Sequence, residues 1–193
     1  MQYLISPSST HRVPFVWWEN VFNQEQLDWL QNKARNSENT PLIGGGDGGN
    51  YVPQYRDGLI SWLNYSECKW AFEILSIIIS KANVFYYNFD IVGFGEPLQL
   101  TNYTADKESK YNWHVDYGEG LSRKLSLVVQ LSNSDEYSGG ILQLLDHSNN
   151  IINIDNKRGY VVMFPSFSLH RVTPVTSGSR QSLVSWITGP PFK

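Results

Sequence analysis

His114 and Asp116 stand two apart in the run Trp113-His114-Val115-Asp116. On a strand, residues two apart share a face. A neutral imidazole and a carboxylate can therefore be presented to one point. His170, at the end of Phe164-Pro165-Ser166-Phe167-Ser168-Leu169-His170, offers a second imidazole. Two histidines and one carboxylate on neighbouring strands form a facial set. That set leaves three positions of an octahedral metal open and suits non-haem Fe(II) oxygen chemistry. An H-x-D step also arises by chance, and a lone strand histidine also serves as a hydrogen-bonded core or surface residue. Arg180 lies ten residues beyond His170, and Ser182 follows two later on the same face. A guanidinium fork binds a carboxylate bidentately, with a hydroxyl to complete the recognition. Buried inside a β-roll, that arginine would need an anionic partner. Taken alone, it reads first as a solvated residue after the turn-like Val-Thr-Ser-Gly-Ser.

These residues need strands to hold them. From about Val84 onward, short alternating segments follow one another: VFYYNFDIVGF, PLQLTNYT, KLSLVVQLS, GILQLLD, NIINID, GYVVMF and QSLVSWIT. Turn clusters such as NSDEYSGG, DHSNN, DNKRG and VTSGSR separate them. Strands at this spacing predict a sandwich or barrel-like roll. Two stretches ahead of it read as helices. The first runs from about Asn23 to Arg35, with Asn23 as N-cap and Phe22, Leu27, Leu30 and Ala34 at helical spacing. The second runs from about Ser66 to Ala82, with Ser66 as cap and Trp70, Ile74, Ile77 and Ile78 as the apolar stripe. The glycine-rich PLIGGGDGGN between them lacks the Lys-Ser or Lys-Thr that a phosphate-cradling loop requires. It reads as a mobile loop over residues 44–50, a candidate lid.

The 193 residues are enough for one domain, with helical support over about 1–83 and a β core over about 84–193. A chain this long buries roughly 70% of its unfolded surface, so it needs no staples. The single cysteine, Cys68, excludes an internal disulfide framework and reads as structural. A net charge of −3 argues against a nucleic-acid or membrane electrostatic footprint. With 7 Trp, 11 Tyr and 9 Phe beside 15 Gly and 9 Pro, the composition leans to a β-rich protein with many turns. No run approaches the ~18 apolar residues of a membrane span. The opening residues lack a basic segment followed by an apolar stretch, so no signal peptide is expected. A cytoplasmic, reducing location is the expectation.

The triad and Arg180 resemble the signature of the 2-oxoglutarate- and Fe(II)-dependent oxygenases: H-x-D, a distal His, then R-x-S about ten residues on. The phrases YNWHVD, RKLSLVVQLSNSDEYSGGILQLLD and GYVVMFPSFSLHRVTPVTSGSRQSLVSW resemble the prolyl/lysyl hydroxylase-domain, prolyl 4-hydroxylase-like branch over about residues 99–189. The resemblance implies a mainly β, double-stranded β-helix (jelly-roll) with supporting N-terminal helices. It implies iron held by His114, Asp116 and His170, and Arg180 paired with the distal carboxylate of 2-oxoglutarate, with Ser182 beside it. Tyr103 matches a tyrosine that contacts the cosubstrate in prolyl hydroxylases. Related halogenases lack the carboxylate at the position of Asp116, so its presence points to hydroxylation. O2 is the implied co-reactant, with ascorbate as a candidate reductant.

The implied function is a dioxygenase that hydroxylates an unactivated C–H bond, on a prolyl or other peptidyl side chain, with succinate and CO2 as co-products. The same chemistry on a free amino acid or small metabolite is one alternative. A non-enzymatic metal-binding β-roll is another. Partners are then a peptide, protein or small-molecule substrate, with no nucleic acid and no membrane. Trp113, Tyr117 and Arg171 are candidates to face substrate, although each aromatic reads more simply as core packing and Arg171 as a surface residue. Trp17 and Trp18 are expected to anchor the first helix, and His11 and His147 to face solvent.

Overall fold

A computed structural model describes residues 13–43, 49–118 and 122–192. His11 and most of the glycine-rich loop, residues 44–48, lie outside the described residues. Helix α1 (Gln24–Arg35) starts as its sequence dictates. The Asn23 side chain accepts from the Gln26 backbone N–H, and the Gln26 side chain accepts from the Asn23 backbone N–H, both at 2.9 Å. This reciprocal box satisfies two donors that the first turn would otherwise leave free. Leu27, Leu30 and Ala34 form its buried face.

Helix α2 (Lys69–Ala82) begins two residues later than the Ser66 cap implied. Cys68 is its N-cap position, with no side-chain cap bond. Its core stripe is also rotated from the expected one. Ala71, Phe72, Leu75, Ile79 and Ala82 are buried, Trp70, Ile74 and Ile78 flank them, and Ile77 is 57% exposed. VFYYNFDIVGF is not a strand over most of its length, because α2 runs on into a π-helical turn over Asn83–Tyr87. The Asn83 side-chain amide bridges both backbone groups of Phe89 at 2.9 Å, and Asn88 takes a left-handed conformation that ends the turn. Only the two-residue β3 (Gly93–Phe94) survives of that predicted strand.

The expected helical half also contributes two strands, β1 (Val16–Trp18) and β2 (Leu59–Leu63). Trp17 stacks on Tyr160, and Trp18 packs on the core. The remaining strands are β4 (Leu98–Thr104), β5 (Tyr111–His114), β6 (Arg123–Gln130), β7 (Tyr137–Gly139), β8 (Leu142–Leu145), β9 (Ile151–Asn153), β10 (Val161–Pro165), β11 (His170–Val172) and β12 (Val175–Thr188). They form two antiparallel sheets. The larger runs β1-β10-β6-β12-β4-β2, with β3 and β7 on either end of β12; the smaller runs β5-β11-β8-β9. This is the jelly-roll anticipated from the sequence. The turn cluster VTSGSR is absorbed into the long β12, which pairs with β7 through a register shift between Val175 and Ser177. Arg180 is thus a strand residue.

Alternation divides the larger sheet into two faces. Leu98, Leu100, Leu125, Leu127, Val129, Leu183 and Ile187 face the helices and share a core with Leu30, Leu75 and Ile79. The opposite face, with Tyr103, Val128, Val162 and Phe164, meets Leu142, Leu144 and Val172 of the smaller sheet. The candidate residues stand in the space between the sheets. No helix among the described residues is long and apolar enough to cross a membrane.

Candidate metal centre and cosubstrate pocket

His114 ends β5 and His170 begins β11, and the two are direct partners across those strands. Their rings lie 4.1 Å apart, centroid to centroid. Asp116 stands just past β5, where its backbone N–H donates to the Ser166 carbonyl at 2.8 Å. The alternation expected of a strand persists there: Val115 is exposed and Asp116 buried. Asp116 Oδ1 is 3.7 Å from His114 Nε2, and Oδ2 is 3.5 Å from His170 Nε2.

The donor set fits a metal ion. His114 Nδ1 lies 2.7 Å from the Asn112 carbonyl and His170 Nδ1 2.9 Å from the Ser168 carbonyl. Each Nδ1–H donates to its carbonyl, which leaves both Nε2 lone pairs facing Asp116. One ligand atom from each of the three side chains lies within 4.8 Å of the others. Burial, and then the second imidazole, push the His114 imidazole well below its usual range. Burial alone would raise Asp116, but the two imidazoles and the Ser126 hydroxyl, which donates to Oδ2 at 2.6 Å, hold it below the usual carboxylate range. The depressed His114 and Asp116 favour the unprotonated forms that bind a cation.

Arg180 opens into the same cavity. It is 1% exposed, and among the described residues no carboxylate pairs with it. Its Nη2 donates to Gln130 Oε1 at 2.6 Å and its Nη1 to Ser182 Oγ at 3.4 Å. Arg180 Nε, Gln130 Nε2 and the Tyr137 hydroxyl are buried without hydrogen-bond partners among the described residues. Unpaired donors around a fixed positive charge match a carboxylate. Ser182 is tied to Thr101 Oγ1 at 2.6 Å. Tyr103 is Arg180's partner across β4 and β12, and its ring centroid is 6.0 Å from the guanidinium carbon. Gly140 makes room for this arginine, since a Cβ there would come within 2.9 Å of Arg180 Cδ, at a φ of +58°. That is the physical content of the Gly-Gly step in YSGGIL.

Several residues that line the cavity or back its lining side chains escaped the sequence reading. Gln130 and Ser126 were legible in principle, because Lys124, Ser126, Val128 and Gln130 alternate along one face of β6. Tyr137 sits in a segment read as a turn. Arg56, which lines the cavity, carries no sequence signal: an isolated antiparallel bridge pairs it with Tyr111. Its Nη2 donates to Gln99 Oε1 at 2.9 Å, and its guanidinium lies over Tyr111, which in turn stacks on His114 at 3.4 Å. Trp186 lines the cavity, with the bidentate Arg123–Glu96 pair across its outer edge.

Other candidates fall elsewhere. Trp113 and Arg171 stack on each other at 4.6 Å, with Arg171 Nε donating to Gln143 Oε1, and neither lines the cavity. Tyr117 stands at the rim against Phe192. His147 is exposed. Cys68 is buried, and burial pushes its thiol up to about 11, an inert state.

Residues 98–188 match the model of the 2OG-Fe(II) oxygenase superfamily, and that span carries His114, Asp116, His170 and Arg180. Over that span, just under half of the chain, the protein is similar to that superfamily. It is 40% identical over 79 residues to a PKHD-type hydroxylase of Synechococcus sp. (strain CC9605), covering 40% of this chain and 36% of the relative. It is 36% identical over 107 residues to another from Synechococcus sp. (strain CC9311), covering 52% and 48%. The matches thus span less than half the length of these relatives. In fold it resembles a Pseudomonas putida prolyl-4-hydroxylase, with a TM-score of 0.74 at 16% identity over 92% of this chain and 94% of that one. A Trichoplax adhaerens prolyl hydroxylase, in complex with a hypoxia inducible factor peptide fragment, gives 0.75 at 20% identity over 91% and 84%.

Proposed function

We propose that this chain is an Fe(II)- and 2-oxoglutarate-dependent dioxygenase that hydroxylates an unactivated C–H bond of a prolyl or other peptidyl side chain, with succinate and CO2 as co-products. The observation that carries the reading is the pairing of two halves in one cavity. A buried His-Asp-His donor set stands above a buried arginine ringed by unpaired donors. A binding module with a structural metal would have no use for the second half.

In this reading His114, Asp116 and His170 hold the iron, and Arg180, Gln130, Tyr137, Ser182 and Tyr103 receive 2-oxoglutarate. Bound iron and cosubstrate supply the oxidising power, drawn from O2 and the oxidative decarboxylation of 2-oxoglutarate. The protein's part is to orient and to exclude water. Asn112 and Ser168 carbonyls fix both imidazole tautomers, and Ser126 holds one Asp116 oxygen. Arg180 fixes the cosubstrate's far carboxylate, so its other end is delivered toward the triad. Val128, Leu142, Val172 and Val184 make the wall between them apolar, which strengthens each of these polar contacts.

A peptide substrate is supported by the branch and by the room beside the site. A largely apolar groove of about 880 Å³, lined by Tyr86, Phe89, Leu145, Phe167, Leu169 and Phe192, passes the loop ahead of His170. The test is succinate release with Fe(II) and 2-oxoglutarate, with prolyl peptides set against free amino acids. Stimulation by a peptide and not by free proline is the expected result. Stimulation by free amino acids alone would transfer the activity to small molecules.

A further inference from the structure

Along the inward face of β6 stand Gln130 against Arg180, Val128, Ser126 against Asp116, and then Lys124. At about 3.3 Å per residue, Lys124 lies roughly 7 Å beyond the level of Ser126, on the side away from Arg180. It is 2% exposed. Among the described residues no carboxylate pairs with it. Its Nζ instead faces the ring of Phe192, 3.3 Å from the centroid. Such a contact offsets about 1–2 kcal/mol, well short of what a buried ammonium loses in leaving water.

Phe192 is a loosely seated cover. It is 42% exposed and rests on Phe89, Tyr117 and Phe167 at 5.2, 5.7 and 5.7 Å between ring centroids. The last described backbone bond before it runs from the Gly189 N–H to the Ser122 carbonyl, and Pro190 and Pro191 have no N–H to give. Tyr117 follows Asp116 directly, and Phe167 lies in the loop ahead of His170. The ring therefore covers a buried cation at the rim of the metal centre and can leave without breaking a described hydrogen bond.

We propose that Lys124 is the specificity-determining cation of this site, reading a carboxylate on the molecule to be hydroxylated, and that Phe192 holds its place until that carboxylate arrives. The inference rests on the oxygenase reading for what the site is, and on Lys124 and Phe192 for what it selects. An arriving carboxylate exchanges a ring contact for an ion pair shielded from water, and the attached carbon chain extends back to the level of Asp116. The carboxylate can be that of a free or chain-terminal amino acid, or the side chain of an acidic residue in a peptide.

Matched probes differing by one charge test it: N-acetylproline against its amide, and acetyl-Glu-Pro-Gly-amide against its Gln counterpart. Each is titrated calorimetrically into the full chain with Fe(II) and 2-oxoglutarate under anaerobic conditions. At least one acid should bind about tenfold more tightly than its neutral partner, or about 1.4 kcal/mol. The pair that shows it identifies the source of the carboxylate. Lys124→Met should erase the preference and Lys124→Arg should keep it. Phe192→Ala should tighten the acid several-fold relative to its neutral partner; this exposed ring carries the test should Lys124→Met not fold. No acid preference in the wild type, its survival in Lys124→Met, or an unchanged acid-to-neutral ratio in Phe192→Ala would overturn the proposal. The affinity for 2-oxoglutarate, read in the same cell, reports separately on the oxygenase reading. If the cosubstrate fails to bind while the acid preference still depends on Lys124, that reading falls and Lys124 stands.

Discussion

Removing the guanidinium at position 180 leaves Gln130 and Tyr137 as neutral donors toward a bound dicarboxylate. Arg180→Ala should therefore cost about 2–3 kcal/mol of 2-oxoglutarate binding, roughly thirty- to hundredfold in the concentration that half-saturates turnover. Arg180→Lys should recover only part, because an ammonium cannot replace the fork. A half-saturation unchanged in Arg180→Ala removes the residue from the site. His114 makes a prediction of a different kind. Its folded-state pKa is depressed, whereas in the unfolded chain it titrates near its usual value of about 6.5. Below that pH the unfolded chain gains a proton that the folded one refuses. The metal-free protein should then lose stability on acidification at up to about 1.4 kcal/mol per pH unit. Urea unfolding midpoints at pH 7.5 and 5.5 measure the slope, and His114→Asn should flatten it. His114 and Asp116 were legible from their two-residue strand spacing, whereas His170 and Arg180 joined them through the resemblance to the oxygenase signature. Gln130 was not singled out, since a glutamine on a strand signals nothing until Arg180 faces it across the roll. Arg56 depends on a bridge to Tyr111 that no local pattern announces.

Elements were legible where their ends carry local chemistry. Helix α1 declares itself through Asn23 and Gln26, and Asn23→Ala should lower unfolding stability by about 1 kcal/mol, read as a shifted urea midpoint at constant slope. Helix α2 has no such marker: Cys68 makes no side-chain cap bond, and the apolar run continues past Ala82 in aromatic and β-branched residues that read equally as strand. The Asn83 amide bridge to Phe89 decided that segment, a tertiary detail beyond periodicity. Likewise VTSGSR reads as a turn by composition, yet pairing with β7 and β4 draws it into β12 and places Arg180 on the cavity wall. The Gly-Gly step is the element-scale test of this arrangement. Gly140→Ala puts a methyl within 2.9 Å of Arg180 Cδ at a backbone conformation that disfavours any side chain. It should weaken 2-oxoglutarate binding more than it weakens folding. A variant that loses stability while binding the cosubstrate normally would assign the glycine to the turn alone.

At the scale of the molecule, two sheets do separate work. The larger carries Arg180, Gln130 and Ser126 on its inner face and buries Leu-rich rows against two helices on the other. The smaller brings His170 beside His114 through one strand pair. The acidic overall balance leaves the interior with a few positive charges held by the fold, of which Arg180 is the deepest. The paired sheets bury Arg180 against Gln130 and Ser182, and the proposed function accounts for that burial by a carboxylate bound there. The most direct test of that account is an anaerobic calorimetric titration of 2-oxoglutarate into the Fe(II)-loaded protein. Wild type should bind one equivalent, and binding should be lost in Asp116→Ala, which removes the metal's carboxylate, and strongly weakened in Arg180→Ala. Undiminished binding of 2-oxoglutarate in both variants would contradict the account.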